Sequence, residues 1–367
     1  MNERVLDLAP NTPPLGMLYF YMTSYCNCAC KHCWIAPEYL DATTAPEEAP
    51  YETFTTIIDQ AIPLGLQSIK FTGGEPLLSL HTRPLMKYAK EKNLYMTMET
   101  NGILIDDETG DFFKEMKLSH ISISIDGPTA EIHEALRGVP GSFDKACRGV
   151  KICAERGFRP QVIMSLYRPN VRYILETARL AQSLGAASLK LNCINDIERG
   201  KSLAASNDVL SVKDYLDIKK VIDEEVQPQI KVAMIFDIPP VFSFFPAKSR
   251  HKGRCGIFNI LGVLADGRMS ICGIGASTPE LLLGTIHERS LKEIWHDSAI
   301  LKTLRSDLPS KLQGICGECM FKNFCLGKCR AEAFYSHGDL LAPFYFCEEA
   351  DRLGLFPEKF KYKKVSI

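Results

Sequence analysis

Tyr25-Cys26-Asn27-Cys28-Ala29-Cys30-Lys31-His32-Cys33-Trp34 is the stretch around which the rest of the chain can be read. It places Cys26, Cys30 and Cys33 at C-x3-C-x2-C spacing, just after an apolar run from Met17 to Met22. Three thiolates this close converge on one metal centre, and soft sulfur donors favour an iron–sulfur cluster or zinc. A four-iron cluster normally takes four thiolates. Three leave one iron open to a ligand, and an open position points to chemistry where a closed one points to structure. Cys28 sits inside the triplet as a further candidate, but one residue on either side fits a shared tetrahedral centre poorly.

The chain of 367 residues suits a barrel with an appended domain better than one small core. Lys plus Arg number 43 and Asp plus Glu 44, so no basic excess points to nucleic acid. Hydrophobic residues make up 46%, and no apolar run approaches a membrane span. Met1 to Pro10 holds two acids and an Arg, with no signal-peptide core, so the expected compartment is the cytoplasm. Fourteen cysteines in a reducing compartment read as metal ligands before disulfides.

Downstream of the triplet, strand-like and helix-like stretches alternate. Strands are expected at Ser68–Thr72, Leu94–Met98, His120–Ile125, Gln161–Leu166 and Ser188–Ile194. Helices are expected at Tyr51–Ile62, Leu80–Lys92, Asp107–Met116, Phe143–Arg156, Val171–Leu184 and Val212–Glu225. With the first strand that makes six β/α units, an α/β chain with a parallel sheet and outer helices. A doubly wound sheet shows the same alternation. Polar and glycine-containing motifs follow the strands: Gly73-Gly74-Glu75-Pro76, Glu99-Thr100-Asn101-Gly102 and Asp126-Gly127-Pro128. Barrel enzymes place their chemistry at that end of the sheet. Paired glycines let a backbone approach a ligand closely, and the Glu75 carboxylate is suited to an ammonium group. Ser122, Ser124 and Asp126 share a face by alternation. Arg137 is suited to holding a carboxylate bidentately.

Together these residues resemble the radical S-adenosylmethionine (SAM) enzymes. In that family the open iron of a [4Fe-4S] cluster, held here by Cys26, Cys30 and Cys33, chelates SAM through its amino and carboxylate groups. Reductive cleavage of SAM then yields a 5′-deoxyadenosyl radical that takes hydrogen from the substrate. The resemblance implies a partial (β/α)6 TIM-type barrel. It assigns Gly73, Gly74 and Glu75 to the SAM amino group, and Ser124 and Asp126 to a segment near its carboxylate or ribose. Arg137 falls to the carboxylate, with His32 and Leu191 against the adenine. Plainer readings stand beside these: a tight turn, a surface arginine, a loop histidine and a core leucine. Cys147, Cys153 and Cys193 have no ligand spacing; the first two read as buried structural thiols.

The α/β rhythm breaks at Phe236 to Pro246, rich in Phe and Pro. The expected division is an extension at 1–16, the barrel at 17–235, a cysteine-rich domain at 236–350 and a tail at 351–367. Seven cysteines follow the break: Cys255, Cys272, Cys316, Cys319, Cys325, Cys329 and Cys347. C-x2-C pairs also occur in zinc ribbons, but seven do not divide into two four-cysteine zinc sites. The spacing resembles the SPASM domain, which holds two auxiliary four-iron clusters. That resemblance gives Cys316, Cys319, Cys325 and Cys347 to an outer, closed cluster. It gives Cys255, Cys272 and Cys329 to an inner one. Gly256 to Ala265 holds no further cysteine, which leaves an inner iron open to a substrate group, a water or a non-cysteine side chain.

The resemblance implies a maturase that acts on a ribosomally made peptide or protein by crosslinking, epimerisation or oxidation. A flavodoxin- or ferredoxin-type reductant would serve it. About sixteen residues precede the first strand, too few for a folded leader-recognition domain, so a separate recognition protein is an expected partner. Sulfatase maturases form a second reading. They carry an acid directly after the cysteine that matches Cys272, where this chain has Gly273-Ile274. A non-enzymatic electron carrier or zinc-binding interaction module is the third reading, and it has no use for Glu75, Ser124 or Arg137 in barrel order.

Overall fold

The computed structural model describes residues 6–39, 48–243, 255–273 and 278–362. Its strands begin with β1 (Met17–Tyr21), the two-residue β2 (Tyr25–Cys26) and β3 (Glu38–Tyr39), β4 (Ser68–Thr72) and β5 (Tyr95–Thr100). They continue with β6 (His120–Ser124), β7 (Gln161–Leu166), β8 (Ser188–Cys193) and β9 (Ala233–Phe236). Between them run α1 (Tyr51–Ala61), α2 (Thr82–Glu91), α3 (Asp107–Glu115), α4 (Ala130–Arg137), α5 (Ser142–Glu155), α6 (Ile174–Ser183), α7 (Gly200–Ala205) and α8 (Val212–Val221). β1 and β4 to β8 are the six expected β/α units, paired in parallel in chain order. β9 adds a seventh parallel strand beside β8.

Alternation along these strands sorts their side chains into two faces. Ile69, Phe71, Met96, Met98, Ile121, Ile123, Val162, Met164, Leu189 and Leu191 are buried in the main core with the helices. α1 shows why helices cover that face. Its Phe54, Ile57, Ile58 and Ala61 recur at helical spacing and are all buried, with Phe54 edge-on to Phe20 of β1 at 5.7 Å. The opposite face carries Tyr19, Lys70, Glu99 and Lys190. Lys70 and Glu99 pair at 2.6 Å. Glu99 on β5 also feels the charge of Lys190 on β8, three strands away, so the sheet curls with this face inside.

The C-terminal part supplies β10 (Ile260–Val263), β11 (Arg268–Ser270) and β12 (Leu282–Thr285), then α9 (Leu291–Asp297) and α10 (Ala299–Asp307). α11 (Gly314–Glu318), α12 (Lys322–Cys325), α13 (Arg330–His337) and α14 (Tyr345–Arg352) follow. β10 lies parallel to β1, from Met17 opposite Ile260 to Phe20 opposite Val263. β11 and β12 extend the sheet antiparallel, giving ten strands. The cysteine-rich part is thus joined to the barrel through the main chain. Among the described residues no helix is long and apolar enough to cross a membrane.

Candidate active site

Backbone bonds on two sides clamp the cysteine loop after β1. Gly74 N–H donates to Thr23 O at 3.0 Å and Glu75 N–H to Tyr25 O at 2.9 Å. From the other side, Ala29 and Lys31 N–H donate to the Arg137 and Leu136 carbonyls at the end of α4, each at 3.0 Å. The glycines are dictated by this packing. A Cβ on Gly74 would lie 1.8 Å from Tyr25 O, and one on Gly138 would lie 2.8 Å from Ala29 O. Asn101 joins in from the end of β5, donating through Nδ2 to Asn27 Oδ1 at 2.6 Å, with Cys26 Sγ at 3.7 Å.

The Glu75 side chain turns inward, contrary to the expectation of a ligand contact. It is 0% exposed, accepting from Thr100 Oγ1 at 2.7 Å, Leu77 N at 3.1 Å and Asn101 N at 2.8 Å. What Gly73-Gly74-Glu75 can offer a ligand is therefore main chain. Burial pushes the Glu75 carboxyl up to about 7 against the pull of those three donors.

Cys26, Cys28 and Cys30 are buried together and Cys33 is half-buried. Cys28 lies within hydrogen-bonding reach of both Cys26 and Cys30. Its donation, with the Arg137 charge, holds Cys30 down to about 6 despite burial. Arg137 Nη1 points at Cys30 Sγ from 3.6 Å. Its Nε donates to Asp126 Oδ2 at 2.5 Å, and Asp126 Oδ1 accepts from Ser165 N at 2.8 Å. Asp126 is 0% exposed, and Arg137 keeps it ionised, below the ordinary carboxylate range. Asp126 thus acts through Arg137. Ser124 ends β6 half-buried. His32 Nδ1 is buried without a partner, and burial beside the Arg137 charge lowers its pKa to about 4. An orphaned ring nitrogen, a guanidinium and three thiols at the strands' C-terminal end fit an iron–sulfur centre with a polar ligand. A cavity of about 510 Å³ opens over Ala29 and Cys30, rimmed by Lys31, Glu198, Arg199, Lys201 and Ser202.

Leu191 does not belong to this site. It is 0% exposed on the helix-covered face, between Met164 and Phe236 in register. The next residue, Asn192, lies on the inner face, and its Oδ1 is buried without a partner. Sequence reasoning missed Asn192 and Asn101, and also the inner-face charges. Lys190 approaches Asp237 to 3.9 Å, and Lys328 is hydrogen-bonded to the same carboxylate. For Lys190 and Asn192 the signal was a polar residue in a strand that, in a parallel sheet, is usually apolar throughout.

The C-terminal thiols form two sets. Cys316, Cys319, Cys325 and Cys347 line one pocket with Pro239, Val241, Ile315, Phe321 and Phe356. The walls around these four thiols are largely apolar, which suits a closed, dry site. Cys347 donates to Cys316 and holds it down to about 7. Cys255 and Cys272 act electrostatically on Cys329 and on Tyr19 of β1, which places this second set against the inner face. Arg330 is fully buried, and its charge interacts with Cys316 and Cys325 of the first set and with Cys329 and Cys255 of the second. Ile274, part of the motif after Cys272, lies outside the described residues, as do residues 244–246 of the expected domain break. Cys153 is buried and Cys147 half-buried, each pushed up to about 12 by burial.

Residues 20–181 match the Radical SAM superfamily, and residues 255–320 match SPASM, an iron-sulfur cluster-binding domain. The chain is 27% identical to an AdoMet-dependent heme synthase of Oleidesulfovibrio alaskensis, covering 93% of this chain and 89% of that one. It is 27% identical to an Fe-coproporphyrin III synthase of Methanosarcina barkeri, over 86% and 84%. With a PqqA peptide cyclase of Granulibacter bethesdensis it shares 24%, over 89% and 85%. The fold is that of Streptococcus suis SuiB bound to precursor peptide SuiA, with a TM-score of 0.70 at 17% identity over 92% and 76%. It is equally that of anSMEcpe with bound AdoMet, with a TM-score of 0.71 at 22% identity over 94% and 93%.

Proposed function

We propose that this chain, a radical SAM enzyme with a C-terminal SPASM domain, removes hydrogen from a peptide or protein and so matures it by crosslinking, epimerisation or oxidation. The observation that carries this reading is the cavity of about 510 Å³ over Ala29 and Cys30, with the Arg137 guanidinium 3.6 Å from Cys30 Sγ. A peptide cyclase among the relatives supports the substrate class.

In this reading Cys26, Cys30 and Cys33 hold the site cluster. Arg137 grips the SAM carboxylate, with Asp126 fixing its angle. The Gly73-Gly74-Glu75 main chain takes the amino group, Ser124 approaches the ribose or carboxylate, and His32 lies by the adenine. Bound SAM, given one electron from a flavodoxin- or ferredoxin-type protein, would break its sulfur–adenosyl carbon bond to leave methionine and a 5′-deoxyadenosyl radical, which would take a substrate hydrogen and depart as 5′-deoxyadenosine. Cys316, Cys319, Cys325 and Cys347 hold the outer auxiliary cluster, and Cys255, Cys272 and Cys329 the inner. An oxidised product would have one further electron to lose, for which the auxiliary clusters held by these cysteines would supply an acceptor. A separate leader-recognition protein and a cytoplasmic setting complete the proposal.

A second reading has its own support. Four relatives are named for tetrapyrroles, and Lys31, Arg199 and Lys201 against Glu198 leave the rim cationic, as a carboxylated macrocycle would require. The test is anaerobic incubation of reduced, iron-loaded protein with SAM and either iron coproporphyrin or the peptide encoded beside the gene. The peptide should accelerate 5′-deoxyadenosine release and itself change mass. Acceleration by iron coproporphyrin alone would install the second reading, and no 5′-deoxyadenosine under any condition would overturn both.

A further inference from the structure

We propose that Glu332 is the fourth protein ligand of the inner auxiliary cluster, completing the set of Cys255, Cys272 and Cys329. The inference rests on the reading of those three thiols as cluster ligands. No cysteine stands between Gly256 and Ala265 to complete them.

The local fold puts Glu332 one helical turn from Cys329. Cys329 is the N-cap of α13, and Glu332 is the third residue of its first turn, so both side chains leave the same side of the helix. The Glu332 charge is felt at both Cys329 and Cys255. The residue is 8% exposed, and an acid so enclosed calls for a partner. Its nearest cation, Lys328, is already bonded to Asp237.

One oxygen is held and the other is not. Oε1 accepts from Asn195 Nδ2, and Tyr345 donates its hydroxyl to Asn195 Oδ1 at 2.8 Å, which fixes the amide with its nitrogen toward Glu332. Among the described residues Oε2 makes no hydrogen bond. A carboxylate locked through one oxygen by a chain of polar side chains is the usual setting of a ligating acid. The Tyr345–Asn195–Glu332 chain also ties this ligand to the segment that follows β8, which rims the cleft. As a harder donor than thiolate, Glu332 gives the inner cluster one iron that differs from its three neighbours.

The test uses full-length protein with Cys26, Cys30 and Cys33 all replaced by Ala, reconstituted anaerobically so that only the auxiliary clusters contribute, about eight irons per chain. With Glu332 intact, Mössbauer spectra should contain a minority iron with oxygen ligation, and 13C-cyanide should add no hyperfine coupling to the reduced clusters. Glu332→Ala should hold equal iron and gain the cyanide coupling. Glu332→Gln, which keeps the shape and the bond to Asn195, should gain it too. Glu332→Cys should convert the minority iron to the thiolate type and lower the cluster's midpoint potential. Cyanide coupling of equal strength with and without Glu332, or identical Mössbauer spectra for the parent and Glu332→Ala at equal iron, would overturn the assignment. An intact parent holding only one cluster's iron would instead remove the inner cluster itself, a failure separable from that of the ligand.

Discussion

Arg137 and Asp126 are buried as a pair, their contact of 2.5 Å completed on the Asp126 side by Ser165 N. Taking away one charge of such a pair strands the other in a poorly solvating interior, at a cost of about 3–5 kcal/mol. Asp126→Asn should therefore lower anaerobic unfolding stability by about 3 kcal/mol. Arg137→Lys keeps the charge and loses the planar fork, so its main effect should be a SAM dissociation constant raised roughly 10- to 100-fold. Equilibrium binding and denaturant titration separate the two; equal effects in both assays would mean Arg137 is only a structural cation. Glu75 gives a pH dependence. Its carboxyl is raised from 4.5 to about 7 in the fold, so between those values the native state keeps a proton that the unfolded chain has released. Stability should then fall as pH rises from about 4.5 to 7, by at most about 3 kcal/mol, and level off above. Glu75→Gln should flatten that segment of the curve; an unchanged slope would place the titration elsewhere. At this scale the cysteine spacing already grouped Cys26, Cys30 and Cys33, which pack together in the fold, whereas Arg137 came into view only through the family resemblance. The sequence was not legible where one residue of register decides the face. Leu191 was expected at the ligand and lies under the helices, while its neighbour Asn192 faces inward.

The turn after β4 and the loop after β1 are two elements that only fit each other without side chains between them. Gly74→Ala would push a methyl into Tyr25 O, so the cysteine loop must move. The expected result is loss of the site cluster and of SAM cleavage with the auxiliary clusters retained, read by iron content and EPR. Gly141→Ala is the matched control. Its φ of +77 is strained for alanine, but a Cβ there meets nothing within 4 Å. It should cost about 1–2 kcal/mol and no iron. Cluster loss in both variants would show that the loop responds to general destabilisation and not to the clash. Most strands and helices could be read within a residue or two because their alternation or helical periodicity is long. α4 went unread, although Thr129 and the left-handed cap Gly138 bracket it, because its eight residues sit within a motif read for Arg137. β9 went unread because its four residues become a strand only by pairing with β8.

In the whole molecule, residues far apart in sequence share one sheet. The pairing of β1 with β10 joins Met17 to Ile260 and leaves Cys272 against Gly262 and its neighbour Gly273 against Tyr21, so the inner thiols are fixed relative to the cysteine loop. The N-terminal segment is fastened to the same region: Trp295 Nε1 donates to Pro13 O at 3.0 Å, and Lys292 pairs with Asp7 at 2.6 Å. The family resemblance gave the two thiol sets as lists, but no local pattern carries a contact between strands separated by most of the chain. Such a shared sheet has a measurable consequence. If β10 is an integral strand, its amides open with those of β1 as one cooperative unit. Hydrogen exchange of the anaerobic holoenzyme should give Leu18 to Phe20 and Leu261 to Val263 protection within about tenfold of each other, both near the global value. Exchange of β10 orders of magnitude faster than β1 would mean that the cysteine-rich part detaches. The distance between its clusters and the SAM site would then vary, and with it the electron path on which an oxidative reaction depends.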